Sequence, residues 1–331
     1  MRDIIRELTQ TYGPSGNEEA VRAKISTMVA DRADEVRSDS LGNLIVFRRG
    51  GGSGRKVMLA AHMDEIGLIA THIDDKGFIR FAGVGGVDPF ISLGHRVVFG
   101  NGVTGVVGME KMDKTKDLKL EKMFIDIGAS SRAEAESAVR VGDMAVFEGK
   151  MEERGDRLVS KAMDDRVGCA VLVEIVRRIG PCPDDVYFVF TAQEEVGVRG
   201  ATTSAFGIYP DVAIAVDVTR VGDTPKADTM DVSLGKGAAI KVKDQLLITH
   251  PGVKRFLVSV AESEGIPYQF EVLERGGTDA GAIHKTREGV PAGVVSIPTR
   301  YIHTPSEMVG MRDVEACAKL IERALERGVA L

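Results

Sequence analysis

Two adjacent carboxylates, Glu194 and Glu195, close the run "DDVYFVFTAQEEVG". The residues before them are apolar, β-branched and aromatic, the composition of a strand. One acid at a strand end is ordinarily solvated, so two in a row gain chemical meaning only with partners. Candidate partners stand at the ends of other such runs: His62 and Asp64 after "VMLAA", Asp217 after "VAIAV", and His303 beyond "VVSIPTRYI". Asp164 and Asp165, in "KAMDDRVG", sit where a helix begins. Two imidazoles and several carboxylates without cysteine form a hard-to-borderline donor set suited to Zn²⁺, Co²⁺ or Mn²⁺. Two divalent ions about 3.5–4 Å apart need a bridging carboxylate, and a water polarised between them becomes a nucleophile near neutral pH. One glutamate would then bind metal while its neighbour, pointing differently, takes the proton from that water.

Each residue alone has a plainer explanation. Asp-Asp before a helix is an ordinary N-cap, and Asp217 alone is an ordinary strand end. His72, His95, His250 and His284 read as surface or satisfied core residues. Joint occurrence is what favours a site, because open α/β sheets place ligands outside the carboxyl ends of their strands.

The elements that would position these residues alternate strand and helix. After residue 160 come the helical face of Val167, Val171, Leu172, Ile175, Val176 and Ile179, then strand "VYFVF" and strand "DVAIAVDV". Helix "PGVKRFLVSVAESEG", strands "YQFEVLE" and "AGVVSIP" and a closing helix "RDVEACAKLIERALERG" complete the series. Near the N-terminus, Ser15 with Glu18 has the form of a capping box ahead of a helix carrying Val21, Ile25, Met28 and Val29. "LGNLIVF" and "RKVMLAAHMDEIGLI" read as a strand pair joined by a glycine-rich turn. Between them and the α/β series, short alternating runs broken by Gly, Asp-Lys-Gly and Asp-Pro indicate a small all-β module. The expected architecture is an α/β catalytic domain, residues 1–66 and 160–331, around an inserted β domain, residues 67–159.

A chain of 331 residues suffices for two domains. Its net charge of −6 and its lack of a basic stripe argue against nucleic acid. No apolar run approaches the ~20 residues of a membrane helix, and "MRDIIRELTQ" lacks the apolar core of a secretory signal. The expected location is cytoplasmic. Cys169, Cys182 and Cys317 form no C-x-x-C pair and are expected as reduced, buried thiols.

"AAHMDEIG", "KAMDDRVG", "TAQEEVGVRGA", "AIAVDVT", "GGTDAGAIH" and "RYIHTPSEMV" together resemble the M42 family of co-catalytic metallo-aminopeptidases, the glutamyl and leucyl enzymes that include the tetrahedral TET assemblies. The resemblance covers essentially the whole chain in order. It implies a mixed-sheet metallopeptidase domain with a PDZ-like inserted domain that makes dimer contacts, and dimers assembling into a hollow dodecamer. It implies two divalent ions per subunit, Zn²⁺ first and Co²⁺ second. His62, Asp164 and Asp217 would hold one ion and Asp164, Glu195 and His303 the other, with Asp164 as the bridge. Glu194 would be the general base on a metal-bridging water, and Asp64 would orient the His62 imidazole. The implied substrate is a short peptide with a free N-terminus.

Residues 276–284 and the segment after Asp217 are expected to shape the S1 pocket, where Arg220 or Lys226 could meet an acidic side chain. Charge alone does not separate glutamyl from leucyl preference, and the lean is toward apolar or broad neutral residues. Two other classes fit the carboxylates less well. A metal-independent glycosidase with carboxylates about 5–9.5 Å apart would leave His62, His303 and Asp217 unused, and a chain with no Trp and 5 Tyr offers few sugar platforms. A non-catalytic self-assembling shell would use a fully occupied metal site to stabilise its fold.

Overall fold

The computed structural model describes residues 1–52 and 54–331. Helices α1 (Arg2–Thr9) and α2 (Glu19–Val29) lead into strands β1 (Glu35–Ser38), β2 (Leu44–Arg48) and β3 (Lys56–His62). Then come β4 (Gly67–Ile73), β5 (Ile79–Val84), the short helix α3 (Pro89–Ser92), β6 (Arg96–Phe99), β7 (Thr104–Met109), β8 (Met123–Asp126), α4 (Arg132–Ala138) and β9 (Met144–Phe147). Strands β10 (Glu152–Arg154) and β11 (Arg157–Ser160) precede α5 (Met163–Arg178), β12 (Asp185–Thr191), α6 (Arg199–Ile208), β13 (Val212–Thr219) and β14 (Ala238–Lys243). The chain finishes with α7 (Pro251–Ser263), β15 (Tyr268–Val272), α8 (Ala280–Ile283), β16 (Ala292–Arg300), β17 (Glu307–Gly310) and α9 (Met311–Arg327).

One mixed 11-stranded sheet runs β1-β2-β12-β3-β13-β16-β17-β11-β10, with β14 paired to β16 and β15 to β14. Its central strands alternate strictly between two cores, as the pleat requires. Val57, Leu59 and Ala61 of β3 and Val212, Ile214 and Val216 of β13 pack with α1, α2, α5, α7 and α9. Met58 and Ala60, with Ala213 and Ala215, face α6 and α8 instead. His62 keeps the parity of Met58 and Ala60, and Asp217 that of Ala213 and Ala215. Parallel β3 and β13 therefore bring both side chains to the same face at the same end.

Strands β4, β5, β8, β7, β6 and β9 close into a barrel with its own core of Leu68, Ile73, Ile79, Val97, Met123 and Ile125. The barrel ends at Phe147, and β10 and β11 belong to the large sheet through the β11–β17 pairing.

Two local expectations are corrected. β2 and β3 are not neighbours, because β12 lies between them; the glycine-rich connection is long enough to step over one strand. Ser15 does not cap α2. Its hydroxyl donates to Asp64 Oδ2 at 2.6 Å, while Glu18 stands at the N-cap and accepts from Gly16 N at 2.7 Å and Gln193 N at 3.0 Å. A fully buried carboxylate needs that hydroxyl more than a solvated helix end does. The three cysteines are buried and free. Among the described residues no helix is long and apolar enough to cross a membrane.

Candidate metal centre

The strand ends and two turns bring His62, Asp164, Glu195, Asp217 and His303 together, with Asp164 in the middle. Its Oδ1 lies 2.9 Å from His62 Nε2, and its Oδ2 lies 3.4 Å from His303 Nε2. His303 Nε2 also faces Glu195 Oε1 at 3.1 Å, and Asp217 Oδ1 lies 3.9 Å from His62 Nε2. Donor atoms of His62, Asp164 and Glu195, and separately of His62, Asp165 and Asp217, lie within 4.8 Å of one another. Asp165 is otherwise engaged, for its two oxygens accept from Gly168 N at 3.1 Å and His62 N at 3.2 Å. Its bond to Gly168 N opens the regular part of α5, beyond the non-helical Asp164 and Asp165, and its bond to His62 N fixes the end of β3.

Asp64 does more than face His62. The imidazole Nδ1 meets the Asp64 carbonyl at 3.1 Å and the carboxylate at 3.5 Å. The carboxylate itself accepts from Glu194 N at 3.0 Å and Glu195 N at 3.1 Å, so it clamps the turn carrying both glutamates.

The donor set is rich in negative charge, and the protonation states register it. Burial pushes Glu194 well above the usual carboxylate range; His62 opposes this, while Asp217 and Glu195 add to it. Burial also raises Asp217 well above its ordinary value, with Asp164 reinforcing the effect against His62. Burial alone would lower both imidazoles, yet Asp164 and Asp64 hold His62 well above its usual value, and Asp164 and Glu195 push His303 up to about 11. Asp164 is held below the carboxylate range because His303 and His62 outweigh its burial. Buried acids of this number and two imidazoles aimed at one of them are the environment a divalent cation relieves, so the residues fit such an ion.

Several supports escaped sequence reasoning. Glu307 accepts from His303 N at 2.7 Å and Asp164 N at 2.9 Å, tying two distant donors through one buried carboxylate. Its burial, with Asp164 nearby, pushes it up to about 8. An acid four residues beyond His303 was its only signal. Fully buried Arg166 donates to the carbonyls of Leu8, Thr11, Gly13 and Met63, fastening the N-terminal segment beneath β3. Lys161 closes a buried pair with Glu65 at 2.7 Å. Asp279, inside "GGTDAGAIH", accepts from Thr191 Oγ1 at 2.6 Å. Neither His250, which caps α7, nor His284, bonded to its own helix, approaches the centre.

A groove of 460 Å³ opens over the centre. It is lined by Asp217, Glu194 and His303, by the apolar side chains of Leu246, Leu273 and Ile302, and by the cations Arg220 and Arg275. Gly276 and Gly277 line it as expected, whereas Lys226 does not.

The family model described as M42 glutamyl aminopeptidase matches residues 42–320. This chain belongs to the M42 family. As an M42 peptidase it is a hydrolase of peptide bonds. It is 50% identical to a putative aminopeptidase of Acetivibrio thermocellus over 98% of each chain. It is 35% identical to the lysyl aminopeptidase of Pyrococcus furiosus, over 98% of this chain and 96% of that one. Among solved structures, the Pyrococcus horikoshii TET1 peptidase, described as able to assemble into a tetrahedron or a large octahedral shell, is 34% identical with a TM-score of 0.87 over 98% of each chain. PhTET1-12s, a dodecamer in its asymmetric unit, matches at 34% identity and a TM-score of 0.90 over 98% of each chain. A Thermotoga maritima protein described as an endoglucanase matches at 35% identity and a TM-score of 0.84, over 98% of this chain and 97% of that one.

Proposed function

We propose that this M42 peptidase is a di-metal aminopeptidase that removes N-terminal residues from short peptides. One observation carries the reading: the Asp164 carboxylate has one oxygen toward His62 and the other toward His303. A single acid serving two imidazoles in that way is suited to join two cation sites. His62, Asp164 and Asp217 would hold one ion and Asp164, Glu195 and His303 the other. Zn²⁺ is the first candidate and Co²⁺ the second. Bound there, the ions would supply Lewis acidity toward the scissile carbonyl and acidify water.

The protein's own residues do the rest. Glu194, which lines the groove and is free of the imidazole contacts that engage Glu195, takes the proton of the attacking water and returns it to the departing amine. Asp64 holds the backbone of both glutamates and faces His62, which keeps base and ligand in fixed relation. The acids lining the groove receive the substrate's free terminal amine. Leu246, Leu273 and Ile302 support an apolar or neutral first residue, while Arg220 and Arg275 support an acidic one. The barrel would serve as a PDZ-like dimerisation domain, with dimers building a dodecamer like that of PhTET1-12s.

Hydrolysis of aminoacyl-p-nitroanilides, free and N-acetylated, tests the reading. Free substrates should be cleaved and blocked ones spared, and the ratio of leucyl to glutamyl rates names the first-residue preference. Glu194→Gln should lower turnover about 10²–10⁴-fold while bound metal is unchanged. Cleavage of blocked substrates, or of a β-glucan in place of peptides, would overturn it.

A further inference from the structure

We infer that the Gly85–Gly86 turn of the barrel is a positioning element of the catalytic centre: it supplies bare backbone against which the His303 imidazole and the Glu195 side chain are seated. The inference rests on the proposed metal-site role of those two residues and assigns a further duty to the inserted domain.

The turn follows β5, whose last residue Val84 pairs with Gly67 at the mouth of the barrel. Val87 N donates to Gly85 O at 3.0 Å, and Asp88 caps α3 by accepting from Phe90 N at 2.7 Å and Ile91 N at 3.3 Å. The turn is therefore held from both sides. A Cβ on Gly86 would stand 2.5 Å from His303 Nδ1 and 2.7 Å from its Cε1, far inside the ~3.5–4.0 Å of an ordinary contact. A Cβ on Gly85, which has φ +80°, would meet Ile66 Cγ2 at 2.8 Å and Glu195 Cβ at 3.1 Å. Nε2 of the same ring, bonded to the crowded Cε1, faces Asp164 and Glu195. The imidazole thus lies between carboxylates from the catalytic domain and glycine backbone from the barrel. A second approach lies nearby: a Cβ on Gly149, just beyond β9, would stand 2.7 Å from Pro305 O in the loop that carries His303.

Gly86 is the informative position, because it lies outside the left-handed region. An alanine there strains no backbone and acts only by pushing the ring. Gly207, in α6, has open space where a Cβ would go and no positive φ, so it serves as the control.

The test is Co²⁺ uptake by the full chain, read as stoichiometry, affinity and visible spectrum, for wild type and for Gly86→Ala, His303→Ala, the double variant and Gly207→Ala. Gly86→Ala should weaken one of two Co²⁺ sites about 10–100-fold, the range for losing an outer partner of a metal ligand, and lower kcat with KM little changed. In the His303→Ala background the same change should cost nothing further, because the crowded ring is gone. Gly207→Ala should match wild type throughout. If Gly86→Ala lowers the melting temperature of metal-free protein, the double variant should restore it. Wild-type Co²⁺ binding by Gly86→Ala, or an equal loss in the presence and absence of His303, would overturn the inference. A wild-type protein that takes up no Co²⁺ would instead overturn the metal-centre reading and this inference with it.

Discussion

The centre has two halves built by different means. His62 and Asp217 sit on parallel strands whose register is set by hydrogen bonds and by two apolar cores. His303 and Glu195 sit on turns: His303 itself has φ 65°, Tyr301 φ 63° and, beside Glu194, Gln193 φ 57°. Left-handed backbone at such residues costs of order 1–3 kcal/mol each and persists only where the surroundings impose it. Glu307 holds the N–H of His303, Glu18 that of Gln193 and Asp64 those of the two glutamates that follow, and the barrel adds the glycine turn. Sheet register thus places one half of a site, with Asp64 and Asp165 trimming it, while the other depends on specific side chains recruited from elsewhere in the chain.

That contrast can be broken by removing one half at a time. His303→Ala should abolish the ion of the turn half and leave one metal per chain, held by His62, Asp164 and Asp217. Elemental analysis of the purified variant checks this, and loss of both ions would mean the halves are not separable. Glu307→Gln should act more mildly, lowering the metal affinity of the turn half about 10–100-fold and, through Asp164 N alone, that of the strand half by less; competitive chelator titration resolves the two. The last effect concerns pH. In metal-free protein both imidazoles are held above their ordinary value, His303 up to about 11, so they carry protons at neutral pH that a cation must expel. Affinity should therefore fall as pH falls, about tenfold per pH unit for each proton expelled. Calorimetry in two buffers of different ionisation heat counts those protons, and a count of zero contradicts the protonation states.

The difference between the halves also explains what was legible in the sequence. His62 and Asp217 end apolar runs of strand length, and period-two burial carries such runs to a common face. The family resemblance added which carboxylate stands between the imidazoles. Ser15 and Glu18 misled because their spacing fits a local motif, whereas Asp64, 49 residues beyond Ser15, is a tertiary competitor that spacing does not reveal. Glu307 and Arg166 act through backbone carbonyls and N–H groups of other segments, contacts that leave no periodic trace. Gly86 reads as loop punctuation until the ring beside it is seen. Likewise, the step of β12 between β2 and β3 is decided by sheet assembly, since a glycine-rich connector permits either neighbour.

The central claim is that Asp164 joins two cation sites, and the most direct measurement is metal content per chain in wild type and in Asp164→Ala, after loading with Zn²⁺ and removal of excess. The account predicts about two ions in wild type and loss of both in the variant, because each half then keeps too few donors. Two ions retained by Asp164→Ala, or a wild-type chain saturating at one, would contradict it.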